Sequence, residues 1–164
     1  MPRLSRNFEE SWESHISIKS HSYTFIGLIS VGILSGIIVQ ILESYHIKIE
    51  PSFMKYDPLT PERYWILLVW IPFFFCNIMG EEVLWRGVII PRQEIYFVEY
   101  TWIIHGFGWI VFHIPFGLPV ILTAIPTFFI IPYIVQKTKN SWPGVIIHAA
   151  LNGPALIAIS FQLL

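Results

Sequence analysis

Six polar side chains stand within or at the ends of apolar stretches of this 164-residue chain: Glu81, Glu82, Arg86, His113, His148 and Asn152. An ionisable group at the centre of a bilayer costs about 2.5 to 3.5 kcal/mol on insertion scales, so each is expected to face a protein interior or a wet cavity. Glu81 and Glu82 are neighbours, set about 100° apart on a helix, and cannot both address one atom. Glu82 and Arg86 are spaced i, i+4 with the acid first, the favourable order for an ion pair within a helix. That pair is self-sufficient. Glu81 has no such partner on its own helix, so its carboxylate has to be satisfied from another, with His113 the best candidate. A Glu and a His that share one water make a general-base arrangement. His148 and Asn152, again i, i+4, present an imidazole and a carboxamide on one helix face, two donors able to hold a developing oxyanion.

The elements that must position these groups are apolar helices. From Ser20 to Leu42 there is no Asp, Glu, Lys or Arg, and roughly 20 residues of helix suffice to cross about 30 Å of hydrocarbon. Residues 1–19 are polar, and Glu9, Glu10 and Glu13 among them argue against a signal peptide. Gly32 and Gly36 form a G-x-x-x-G spacing that lets a neighbouring backbone approach. Next comes a water-facing connection with Lys48, Glu50, Lys55 and Asp57, then Thr60 as an N-cap with Pro61 at the first helical position. The second run extends from Tyr64 through Gly80 to Ile90, kinked at Pro72 and ended by Pro91. A third helix is expected from Val98 to His113, closed by Pro115, Gly117 and Pro119. A fourth, irregular at Pro126 and Pro132, reaches Gln136. Residues 137–140 make a polar turn, and Pro143 to Leu164 supplies the last helix. The fold expected is all-α: a polytopic transmembrane bundle of about five helices with its site inside the bundle. The polar segment 1–19 precedes one domain, 20–164, whose motif-bearing core is 64–152.

Composition agrees with a lipid environment. Hydrophobic residues make up 54% and charged residues only 13%, against about 25% charged in an average soluble domain. The net charge is −1, and the ten Lys and Arg residues are scattered, so no basic stripe exists to neutralise phosphates and nucleic acid is excluded as a partner. Cys76 is the single cysteine. It rules out an intrachain disulfide or a Cys-based zinc site, and its place in the aromatic run of Phe73, Phe74 and Phe75 suggests a buried thiol. An N-terminus inside the cell puts Arg3, Arg6, Lys19, Arg86, Arg92, Lys137 and Lys139 on the cytoplasmic side, against Lys48, Lys55 and Arg63 outside. The expectation is an integral protein of the cell membrane with a cytoplasmic N-terminus.

Three motifs carry a family resemblance. Glu81-Glu82-Val83-Leu84-Trp85-Arg86-Gly87 resembles the E-E-x-x-x-R-G motif of the CPBP family, the CAAX-protease and bacteriocin-processing proteins also called Abi or Rce1-like. Trp109-Ile110-Val111-Phe112-His113 is similar to its F-x-x-x-H motif. His148-Ala149-Ala150-Leu151-Asn152, preceded by Ser141-Trp142-Pro143, resembles its H-x-x-x-N motif. Each alone is weak, but three in order on apolar helices are a strong signal. The resemblance implies hydrolysis of peptide bonds in or beside the membrane. It gives Glu81 and His113 the activation of water, His148 and Asn152 the carbonyl oxygen, and Glu82, Arg86 and Trp109 supporting or substrate-binding places. It implies a peptide or membrane-associated protein as substrate and the lipid bilayer as surroundings. The chain departs from the pattern with Trp109 and Trp85 where Phe is common. It is also shorter than typical members, so part of a substrate channel is absent or comes from a second copy in a homo-oligomer.

Other readings compete. Glu82 with Arg86 is equally an ion pair that fixes helix orientation. A catalytically idle membrane adaptor or self-immunity protein would keep the same fold. A metal enzyme would use Glu81, His113 and His148 as ligands to a divalent ion, although no H-E-x-x-H helix exists and the residues require no cofactor. His105, two turns before His113, could join the site but is expected in an interfacial or packing role, the Phe73–Phe75 run in lipid contact or helix packing, and His15, His21 and His46 in solvent.

Overall fold

The computed structural model describes residues 18–49 and 58–161, and among them there is helix and turn but no strand. Helix α1 is Ile18–Ser44, α2 is Trp65–Glu82, α3 is Ile90–Phe97, α4 is Thr101–Phe112, α5 is Leu118–Thr138 and α6 is Trp142–Ser160. A π-helical segment, Val83–Ile89, joins α2 to α3 without interruption, so the described chain forms five rods. The expected segment 1–19 lies largely outside the described residues, as do Glu50, Lys55, Asp57 and the last three residues of the final helix.

Pro91 does not end the second rod, contrary to the reading from sequence. A proline inside an α-helix lacks the N–H that would reach the carbonyl four residues back, and its ring crowds that carbonyl. Here the turn ahead of it is widened: the Ile90 N–H bonds the Trp85 carbonyl, five residues back, and the rod passes through the proline and on to Phe97. Its true end is Val98, at φ 46° and ψ −118°, a conformation that L-residues with branched side chains avoid. The reversal is sharp. His105 Nδ1 lies 2.8 Å from Gln93 Oε1, whereas twelve residues of straight helix would separate them by about 18 Å. Gln136 on α5 holds the turn, its Nε2 donating to the Val98 carbonyl and its Oε1 accepting the Trp102 N–H. The third helix accordingly starts at Thr101 rather than Val98.

Other boundaries shift for local reasons. Thr60 has the extended backbone of an N-cap with Pro61 next, but its side chain makes no capping bond. Lys137 and Thr138 remain in α5. Lys139 takes the left-handed conformation that stops the helix, and Asn140 Oδ1 accepts the Trp142 N–H to start α6.

Helices α1 and α4 both pack on α5, α6 lies against α1 and α5, and α2 meets α6. The core combines Val31, Ile90, Trp109, Phe128, Ile131, Ile134, Val135 and Ile147. Gly27 permits the close approach of α1, since a Cβ there would run into Ile134 and Ile147. Gly32 and Gly36 face open space, so the G-x-x-x-G face is not used within the chain. Phe25, Leu68, Phe73 and Phe75 are exposed while Glu82, Arg86 and His105 are completely buried. This inverts the arrangement expected in water and suits a lipid solvent. Three stretches, Ser20–Ser44, Trp65–Phe112 and Leu118–Thr138, are long and apolar enough to cross a membrane, the second being folded back on itself at Val98. Cys76 is exposed on this outer surface, not buried, because most of α2 has only α6 to cover it.

Candidate active site

The polar centre is built where the α2–α3 rod, α4 and α6 meet. Glu82 closes α2 and Arg86 lies in the π segment, with Arg86 Nη1 3.1 Å from Glu82 Oε1 and neither side chain exposed. The contact is one of charge rather than of aligned hydrogen bonding, since the guanidinium nitrogens lack a bond of good geometry. The guanidinium lies over the ring of Trp109 on α4, its central carbon 3.3 Å from the ring centroid, a cation–π contact strengthened by desolvation. From α6, His148 Nδ1 reaches the same Glu82 oxygen at 2.8 Å. The pair that looked self-sufficient in sequence is therefore part of a polar triad drawn from two rods. The approach of α6 depends on Gly144, one turn before His148: a Cβ there would strike Glu82 Oε2.

Glu81 sits on an adjacent face and is half-buried. It does have a partner on its own helix, which corrects the expectation: Asn77 Nδ2 donates to Glu81 Oε1 at 3.2 Å. The second oxygen, Oε2, is buried and has no hydrogen-bond partner among the described residues. His113 terminates α4, with Nδ1 2.9 Å from the Trp109 carbonyl. A carbonyl only accepts, so Nδ1 carries the proton and Nε2 of the neutral ring keeps its lone pair. Glu81 and His113 make no hydrogen bond to each other among the described residues. Trp109 binds the arrangement together, with its ring 5.4 Å from that of His113 and 5.7 Å from that of His148. Asn152, one turn beyond His148, is exposed and makes no hydrogen bond among the described residues. It is not tied to the buried triad, and its neighbour Gly153 carries the contact of α6 with Phe74.

Several residues here were not singled out in the sequence. Asn77 was legible as an amide one turn before Glu81 in an otherwise apolar run. Gly144 left no signal, because what it makes room for comes from another helix. His105 is fully buried, bonded to Gln93 and edge-on to Trp85, which is the packing place expected for it. A cavity of about 180 Å³ lies elsewhere, between the starts of α1 and α6, lined by Ser20, His21, Thr24, Asn140 and Trp142.

The donor set can be tested against a metal ion. Three protein ligands normally surround a catalytic zinc, and among the described residues no group of three His, Cys, Asp or Glu is placed to hold one. Glu81, His113 and His148 do not form a ligand cluster.

A family model described as type II CAAX prenyl endopeptidase Rce1-like matches residues 63–153. The match contains Asn77, Glu81, Glu82, Arg86, His113, His148 and Asn152. Comparison with curated proteins and with solved structures returned no match.

Proposed function

From the membership of this chain in the Rce1-like family of type II CAAX prenyl endopeptidases, we propose that it is an intramembrane peptide-bond hydrolase in which Glu81 and His113 activate a water. The observation that carries this reading is the Glu81 carboxylate, with one oxygen held by Asn77 and the other buried without a partner. A buried, unmatched acceptor is costly by about 1 to 3 kcal/mol, and a water hydrogen-bonded to Oε2 satisfies it. His113, with its Nε2 lone pair, takes the second water proton as a hydrogen bond. The water oxygen attacks the scissile carbonyl carbon, its proton passes to Glu81, and the C–N bond breaks as Glu81 returns that proton to the leaving amine.

The carbonyl oxygen gains negative charge in this step, and His148 with Asn152 are its donors in the proposal. With its Nδ1 proton directed to Glu82, His148 offers a donor at Nε2 only when the ring carries both protons. Glu82 offsets that charge, and Arg86, stacked on Trp109, holds Glu82 in place. Asn152, exposed and uncommitted, is available to a substrate carbonyl. No step requires a metal or other cofactor. The substrate class is a peptide or membrane-associated protein cut near its C-terminus, and a prenylated CAAX peptide is the first to try. The protein works from the lipid bilayer of the cell membrane, with a cytoplasmic N-terminus and no nucleic acid partner. Homo-oligomers are compatible with the open glycine face of α1.

The test is Glu81→Gln in proteoliposomes supplied with a fluorogenic prenylated CAAX peptide. The substitution keeps size and hydrogen bonding while removing the base, so cleavage should fall to background with the protein still folded. Full turnover in that variant would end the mechanism. Cleavage by the wild-type protein should be insensitive to chelators.

A further inference from the structure

Helix α2 is apolar from Trp65 to Gly80 with one strongly polar exception, Asn77. It is exposed, as are Phe73, Phe75, Cys76 and Gly80 around it. A carboxamide carries two N–H donors and a carbonyl, and leaving it unpaired in hydrocarbon costs several kcal/mol. It is an expensive residue to keep on such a face unless it is used. Among the described residues its side chain bonds Glu81 Oε1, four residues on, the spacing at which amide and acid side chains meet on a helix.

That bond has a directional consequence. A carboxylate rotates about its last torsion with little resistance, so an isolated Glu81 would offer either oxygen in many orientations. Asn77 removes that freedom by engaging Oε1, and the oxygen left over, Oε2, is the one turned into the protein and unpartnered. Glu82 has no donor to offer, and among the described residues neither Arg86 nor His148 hydrogen-bonds Glu81, both being directed at Glu82. His113 is bonded to the Trp109 carbonyl on its own helix. We infer that Asn77 is a positioning residue, whose amide fixes the Glu81 carboxylate with Oε2 presented to the reacting water. The inference rests on the proposed role of Glu81 as base and adds the group that aims it.

The experiment compares Asn77→Leu, Asn77→Ser and Asn77→Gln with the wild-type and Glu81→Gln proteins in proteoliposomes, measuring kcat and KM separately on the prenylated peptide. Leu keeps the bulk of Asn without the donor, Ser has a donor too short to reach, and Gln retains a carboxamide able to bond at i, i+4. The expected result is a kcat lowered about 10- to 100-fold in the Leu and Ser variants with KM within about twofold of wild type, and substantial recovery in the Gln variant. Normal kcat in either the Leu or the Ser variant, with Glu81→Gln inactive, would overturn the positioning role and leave Glu81 as base. Equal losses in the Ser and Gln variants would also overturn it, since the amide would then not matter. An active Glu81→Gln protein would instead remove the reading on which the inference stands.

Discussion

At the scale of single residues, the centre of this protein depends on one missing methyl group. Gly144 leaves the volume into which the Glu82 carboxylate projects, and any Cβ there meets Glu82 Oε2 and lies 3.2 Å from Ile131 Cγ2. Neither neighbour can yield easily, because Glu82 is held by Arg86 and His148 and Ile131 is wholly buried. Gly144→Ala should therefore cost about 1 to 3 kcal/mol of stability, the usual range for overpacking, and lower activity with it. Gly108→Ala is the matched control, as a Cβ there meets nothing within 4 Å and a helical glycine is replaced by a better helix former. Thermal melts in detergent and peptide cleavage should separate the two. A Gly144→Ala protein as stable and active as wild type would show that Glu82 has another position available. Trp109 matters at the same scale, because its ring is the floor under Arg86.

At the scale of elements, the π segment determines which side chains the second rod presents. An i→i+5 turn inserts one residue relative to an α-helix, which rotates the remainder of the rod by about 100°. Gln93 and Glu94, which hold His105 and Lys139, are set by that rotation. Pro91→Ala restores an N–H at position 91 and removes the reason for widening the turn. Helical content by circular dichroism should stay unchanged while activity falls by about 100-fold, the loss that a misplacement of about 1 Å can produce. Retention of activity would mean that packing around Arg86, rather than the proline, holds the segment in its π form. The sequence reading located Pro91 correctly as a disruption and mistook its effect, because a proline reports a missing donor and not how the chain accommodates the loss.

At the scale of the whole molecule, three contacts gather one end of the bundle. Lys139 pairs with Glu94, Gln136 bonds the Val98 turn, and Asn140 Nδ2 lies 3.4 Å from Ser20 Oγ. The start of α1, the α3–α4 turn and the α5–α6 turn thus share one side, as an alternating five-rod path requires. His148, six residues into α6, lies about 9 Å beyond that end. Cys76 is exposed on the apolar outer surface of the second rod, where lipid would shelter a thiol from a water-borne reagent. In intact proteoliposomes Cys76 should resist a sulfonated, membrane-impermeant maleimide and react once the protein is denatured in dodecyl sulfate. Rapid labelling before denaturation would place this face in a water-filled groove instead.

What the sequence determined by itself was everything that depends on spacing along one chain or on solvent preference. The apolar runs, the i, i+4 pairing of Glu82 with Arg86 and the different faces of Glu81 and Glu82 all come from helix geometry and hydrophobicity, while the aromatic at position 109 was singled out by the family resemblance alone. Tertiary structure decided the rest: His148 joining Glu82, Gly144 clearing its path, Arg86 lying on Trp109, Gln136 holding the Val98 turn, and Cys76 facing outward. Those contacts depend on the register and rotation of one helix against another. Many pairs of apolar faces satisfy the same hydrophobic pattern, and only close packing selects among them.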